Sequence, residues 1–145
     1  MIYLDSSALV KLVRTEDCSD ALQAWIDQRA DALLVTSALA RAEVLRAVRR
    51  NNHTDSGALI DPVAFDAELV GATEVLGSIA QIAIDDAILD RAGGLASPMI
   101  RALDAIHLAS ATELEPAELI FVTYDHRLAA EAEGIGLTVI APATQ

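Results

Sequence analysis

Five short apolar runs punctuate this chain, and between them apolar residues recur at helical spacing. Residues 2–4, 33–36, 78–84, 119–123 and 137–140 read as strands, and the run at 119–123 is the clearest because it is β-branched and aromatic. Helices are predicted over 6–14, 17–29, 38–50, 62–76, from 85 to the Gly93-Gly94 pair, 97–114 and 126–133. Ser6 and Ser37 offer N-caps, Asp61 stands before Pro62 at a helix start, and Asp85 reads as a cap. Residues 51–57 form a polar turn, and Gly134 closes the helix before the last strand. Strands alternating with helices predict an α/β fold whose mostly parallel sheet is covered on both faces.

The bulk numbers narrow the class. At 145 residues the chain is expected to form one domain, 1–145, and 53% hydrophobic residues supply a core. No apolar run reaches the ~20 residues that cross a bilayer. A charge at position five and the lack of a basic lead argue against a secretory signal. The single cysteine, Cys18, has no internal partner and fits a reducing cytoplasm; it reads as a small, partly buried helix residue. The net charge of −12 argues against broad electrostatic attraction to nucleic acid. Its distribution is uneven. Arg41, Arg46, Arg49 and Arg50 face a single acid, Glu43, within ten residues, and Lys11 and Arg14 follow Asp5.

Four acids stand where this fold brings distant segments together. Asp5 and Asp125 follow predicted strands, and in open α/β sheets function gathers beyond the carboxyl ends of the strands. With Ser6 and Ser7 available as caps, Asp5 is not needed for that task, whereas Asp125 is as good a cap as a functional acid. Glu43 projects from its helix with Arg46 and Arg50, opposite Val44, Leu45 and Val48. On this helix alone a surface pair with either arginine explains it better than a functional role. Asp104 lies within an apolar stripe formed by Ile100, Leu108 and Ala111, where a lone charge is costly unless Arg101 or His107 pairs with it. His107 has no second histidine at metal spacing and reads as a packed or hydrogen-bonding side chain. Gathered carboxylates without a Cys or His cage call for Mg²⁺ or Mn²⁺, and such sites act on phosphate esters.

Asp5-Ser6-Ser7-Ala8-Leu9, Glu43 in the helix after Val35-Thr36-Ser37, Leu103-Asp104-Ala105-Ile106-His107-Leu108-Ala109, and Val122-Thr123-Tyr124-Asp125 closely resemble the motifs of PIN-domain ribonucleases. Within that family the chain resembles the VapC-type toxins of toxin–antitoxin pairs. The resemblance covers almost the whole chain, in the family's order. It implies a three-layer α/β/α sandwich around a parallel sheet. It also implies a Mg²⁺- or Mn²⁺-dependent endoribonuclease cutting single-stranded or structured RNA, with Asp5, Glu43, Asp104 and Asp125 as catalytic and metal-binding acids. Ser6 and Thr123 match polar positions beside those acids. The family further implies a cytoplasmic homodimer and a VapB-like antitoxin whose basic tail enters the acidic pocket. Arg46, Arg49 and Arg50 are then candidates for gripping RNA phosphates or the antitoxin. Leu9, Leu12 and Val13 are candidates for the dimer contact, against simple core packing. His126 departs from the pattern, and the single lysine leaves a sparser basic surface than the family often shows.

Other readings fit less well. A phosphotransfer receiver domain needs a lysine after a late strand, and the one lysine is Lys11. A haloacid-dehalogenase-type phosphatase needs Asp-x-Asp, where this chain has Asp5-Ser6-Ser7. A PIN-like scaffold that binds RNA or protein without cutting is the alternative outside the enzymes.

Overall fold

The structure, a computed structural model, describes residues 1–143. Its five strands are β1 (Ile2–Leu4), β2 (Leu34–Ser37), β3 (Ala80–Ile82), β4 (Ile120–Val122) and β5 (Thr138–Ile140). They form one sheet in the order β3-β2-β1-β4-β5, with every pairing parallel. Seven α-helices connect them: α1 (Ser6–Val13), α2 (Ser19–Asp27), α3 (Ala40–Asn51), α4 (Pro62–Ser78), α5 (Asp86–Gly93), α6 (Ala102–Ala111) and α7 (His126–Gly134).

β1 shows why both faces must be covered. All three of its residues are buried, because consecutive side chains point to opposite sides of the sheet. Ile2 and Leu4 join Leu9 of α1, Val44 and Val48 of α3, and Leu76 of α4 in one core. Tyr3 and Phe121 point the other way, against Leu108 of α6 and Leu128 of α7. α5 packs on α6 through Ile88, Ala92, Ala105 and Ala109. The result is the three-layer α/β/α sandwich that the sequence predicted. Leu9 is wholly buried in the first core, so it is no candidate for a dimer contact; Leu12 and Val13 pack against the same core.

Most expected helix boundaries hold to within two residues, α6 ends at Ala111 rather than near 114, and other departures come where side chains find other partners. Residues 97–101 do not begin α6: the Ser97 hydroxyl donates to Glu131 at 2.7 Å instead of capping a helix. Arg101 is extended (φ −77°, ψ 151°), and the helix starts at Ala102. Cys18 lies just before α2 rather than inside it, in the left-handed region at φ 69°. There the Ser19 hydroxyl closes the loop by donating to the Arg14 carbonyl at 2.9 Å. Residues 78 and 79 precede β3, since Ser78 ends α4 with its hydroxyl on the Val75 carbonyl. Asp61 and Asp85 cap α4 and α5 as predicted. Among the described residues no helix is long and apolar enough to cross a membrane.

Chain order dictates where a site can form. From β1 the chain steps outward to β2 and β3, then returns to place β4 on the other flank of β1. The connections leaving β1 and β4 therefore diverge, and a crevice opens beyond their carboxyl ends. Phe121, fully buried and stacked on Tyr3 at 5.1 Å, packs in the core with Leu108 and Leu128. Phe121→Ala is expected to lower the unfolding free energy by about 3–5 kcal/mol. Met99→Ala, at a side chain 84% exposed, is expected to change it by less than about 0.5 kcal/mol. Urea denaturation of the two variants checks the contrast.

Candidate active site at the carboxyl edge of the sheet

The residue after β1 and the residues after β4 are stapled together by hydroxyls. The Asp5 side chain is 3% exposed, yet its two oxygens accept three hydrogen bonds. Oδ1 takes the Ala8 N–H at 2.9 Å and the Ser7 hydroxyl at 2.7 Å; Oδ2 takes the Thr123 hydroxyl at 2.6 Å. Ser7 in turn accepts the Tyr124 N–H at 2.9 Å, and Thr123 accepts the Asp125 N–H at 3.1 Å. This corrects the expectation that Asp5 is spared from capping: Asp5, not Ser6, is the N-cap of α1. The same carboxylate caps a helix with one oxygen and is held by the neighbouring strand through the other.

Glu43 comes from α3 and is not paired with Arg46 or Arg50. Its Oε2 accepts a hydrogen bond from His107 Nε2 at 2.7 Å and another from the Ser6 hydroxyl. Ser6, expected beside Asp5, thus serves Glu43. Asp104 projects from the first turn of α6, half-buried, and takes no hydrogen bond or salt bridge among the described residues. Neither Arg101 nor His107 forms the ion pair that was the alternative to a functional role for Asp104. Asp125 caps α7 through Oδ1, which accepts the Arg127 and Leu128 N–H groups at 2.8 and 3.2 Å. Its capping reading was therefore right, and its second oxygen takes no bond among the described residues.

Asp5, Glu43, Asp104 and Asp125 all line one cleft of about 370 Å³, together with Ser6, Ser7 and His107. Arg50 and Arg101 flank it. Burial raises the Asp5 carboxyl above its ordinary value, against the opposing effect of Thr123, Ser7 and the Ala8 N–H. Asp104 is raised too, by burial first and by the charge of Asp125 second, with Arg101 and His107 acting in the other direction. At Glu43 burial also disfavours the charge, but the His107 and Ser6 hydrogen bonds outweigh it and hold the carboxyl below its usual range. The cleft thus concentrates negative charge that the protein only partly compensates.

Among the described residues no three Asp, Glu, His or Cys side chains are already gathered as ligands of a single ion. The donor set nevertheless fits one kind of cation. It offers only carboxylate oxygens, since His107 Nε2 is engaged by Glu43. Mg²⁺ keeps several waters and needs only one or two direct carboxylates. Asp104, the second oxygen of Asp125 and Glu43 Oε1 are the open donors among the described residues.

Beside the cleft runs a larger groove of about 720 Å³, lined by Glu43, Arg46, Arg49, Arg50, His53 and Asp55. None of these three arginines forms a salt bridge among the described residues, in a chain with 22 acids. Lys11 and Arg14, by contrast, are engaged by Glu16 and Glu68. His126 is exposed at the start of α7. Residue types alone did not reveal the part of Tyr3, because it acts on His107, which only the tertiary fold brings near.

A parallel five-stranded sandwich with an acidic cleft at its switch point defines the class: the chain belongs to the PIN domain family, which it matches over residues 2–133. Its relatives sharpen this. It is 42% identical over 144 residues to Ribonuclease VapC35 of Mycobacterium tuberculosis, covering 98% of this chain and 97% of that protein. Ribonuclease VapC46 of the same species is 40% identical over 141 residues, covering 97% of each. Among solved structures, VapBC2 from Rickettsia felis bound to a DNA fragment from its promoter shares the fold, with a TM-score of 0.67 at 15% identity. That match covers 97% of this chain and 98% of the other.

A raised Asp5 makes a stability prediction with a definite sign. A carboxyl whose folded value lies above its unfolded one stabilises the fold fully below the ordinary value of 3.8. That contribution is lost as pH rises through the folded value. With metal chelated, Asp5→Asn is therefore expected to melt at or above the parent temperature at pH 8, and to lose that advantage at pH 4. Thermal unfolding at the two pH values checks it; a variant less stable at pH 8 than at pH 4, relative to parent, contradicts the sign.

Proposed function

We propose that this protein is the toxin of a toxin–antitoxin pair, a divalent-cation-dependent endoribonuclease that cuts RNA at the cleft bearing Asp5, Glu43, Asp104 and Asp125. The observation that carries it is the convergence of these four acids, two from the connections after β1 and β4 and two from α3 and α6, on one cleft. Near-complete coverage by relatives named VapC ribonucleases supports the same reading.

Asp104, Asp125 and Glu43 offer open oxygens for Mg²⁺ or Mn²⁺, with Asp5 and Glu43 positioned by their hydrogen bonds to complete its surroundings, directly or through water. When bound, the cation would acidify a water and offset phosphate charge. Ser6 and Thr123 hold Glu43 and Asp5 in place, and Arg50 and Arg101 flank the approach of an anionic backbone. Arg46, Arg49 and Arg50 lie along the adjoining groove, without carboxylate partners, and grip RNA phosphates. The cognate antitoxin, VapB-like with a basic tail, places a cation among the same acids and blocks the cleft. The protein acts in the cytoplasm as a single-domain chain that homodimerises. Ile60, Val63 and Val70, exposed at and along α4, would supply the apolar contact that buried Leu9 does not.

A non-cutting PIN scaffold is favoured by one observation, the lack of a ready-made three-ligand cluster among the described residues. Labelled RNA incubated with Mg²⁺, with Mn²⁺ and with EDTA separates the two. Cleavage is expected with either metal and none with EDTA; metal-dependent binding without cleavage supports the scaffold. Asp104→Asn is expected to lower cleavage by at least about 100-fold while the circular dichroism spectrum stays that of the parent. Full activity in that variant sinks the assignment.

The arginines make a separate prediction. Replacing Arg46, Arg49 and Arg50 together by Glu is expected to flatten the dependence of log affinity on log salt for single-stranded RNA by about 2. Filter binding over a salt series measures this, and an unchanged slope removes the arginines from the RNA contact.

A further inference from the structure

Glu43 is aimed by a chain of hydrogen bonds that runs back into the sheet. Tyr3, in the middle of β1, is wholly buried, and its hydroxyl lies 2.9 Å from His107 Nδ1. His107, on α6 and 2% exposed, reaches Glu43 Oε2 with Nε2 at 2.7 Å. Tyr3 cannot drift, since its ring stacks on Phe121 at 5.1 Å and meets the His107 ring edge-on at 6.0 Å. The three residues belong to three different elements, a strand and two helices on opposite faces of the sheet.

The chemistry of the chain fixes the proton positions. An ionised carboxylate only accepts, so Nε2 must carry the hydrogen that bonds Glu43. In the neutral imidazole Nδ1 is then the acceptor, and the Tyr3 O–H donates to it. Burial raises the Tyr3 hydroxyl well above the ordinary tyrosine value, so it stays protonated and available as donor. Tyrosine thus selects the tautomer, and histidine holds one oxygen of the carboxylate. The Ser6 hydroxyl donates to that same oxygen. Oε1 takes no bond among the described residues, which leaves it for a ligand in the cleft.

We propose that His107, locked by Tyr3, is a positioning residue for Glu43: it orients the carboxylate so that Oε1 is presented to a divalent cation. Hydrogen-bonded partners of ligating carboxylates tune metal sites in this way, and their loss costs about 10–100-fold in metal affinity or activity. The inference rests on the reading of the cleft as a cation site. It goes further by assigning a task to two residues outside the acidic set, one of them in the middle of the sheet.

Three variants test it. His107→Phe removes both ring nitrogens, Tyr3→Phe removes only the oxygen that selects the tautomer, and His107→Gln keeps a donor and an acceptor. Mn²⁺ binding is measured by calorimetry, RNA cleavage as kcat and KM, and the imidazole tautomer by ¹⁵N NMR, with the His107 signal assigned by its loss in His107→Gln. His107→Phe is expected to bind Mn²⁺ about 10–100-fold more weakly and to lose kcat with KM unchanged. Tyr3→Phe should fall between it and the parent, and His107→Gln should recover most of the loss. The parent spectrum should show the Nε2–H form.

Parent-like Mn²⁺ affinity and kcat in both Phe variants overturns the proposal, and so does an Nδ1–H tautomer in the parent. If His107→Phe does not fold, Tyr3→Phe decides alone. A parent protein that neither binds Mn²⁺ nor cuts RNA refutes the cation reading itself. The NMR spectrum still reports separately whether the tether exists.

Discussion

Negative charge must be gathered at one edge of the sheet without tearing that edge apart. Four carboxylates share a cleft, and like charges at short range disfavour one another. The fold answers acid by acid. Asp5 receives three donors, Glu43 receives two, Asp125 is tied to the start of α7, and Asp104 is left open beside Arg101. Satisfied acids hold the frame, and unsatisfied oxygens are left where a cation can bind. An entirely satisfied set would leave a ligand nothing to do, and an entirely open set would be too costly to bury.

That division explains why hydroxyls matter as much as acids here. Ser7 and Thr123 each donate to Asp5 and accept from the backbone of the β4–α7 connection. They join the two chain segments that diverge at the switch point, and so keep the crevice at a fixed width. Thr36 performs the same kind of task one strand over, its hydroxyl donating to the Leu4 carbonyl at 2.7 Å. Ser110 reaches Ser37 at 3.1 Å and ties α6 to β2. The helix that carries Asp104 and His107 is therefore anchored to the sheet by polar as well as apolar contacts.

Charge distribution, rather than net charge, decides what such a protein can hold. A total of −12 repels a polyanion, but the screening length at physiological salt is only about 8 Å. Within that range of the groove the local balance is set by Arg46, Arg49 and Arg50 against Glu43 and Asp55. Elsewhere basic residues such as Arg14 and Arg91 face acids such as Glu68 and Glu113. Among the described residues Arg29, Arg41, Arg101 and Arg127 also lack a carboxylate partner, so the groove is set apart by having three such arginines along one face.

The sequence alone determined the layered fold, because alternation of buried strands with amphipathic helices leaves few ways to cover both faces of a sheet. It also carried the four acids and their order, since β1 and β4 had to end beside a crevice. It misjudged the start of α6, where a serine bonded to Glu131 instead of a backbone N–H. It also misjudged the capping of α1, since two serines and an aspartate are equivalent caps on paper. Only the tertiary structure decided what each acid touches. Glu43 was ambiguous on its own helix because Arg46 and Arg50 were its neighbours by spacing; its actual partner, His107, lies 64 positions away. Hydrogen-bond partners of that kind are set by how layers meet, and local periodicity carries no information about contacts across the sheet.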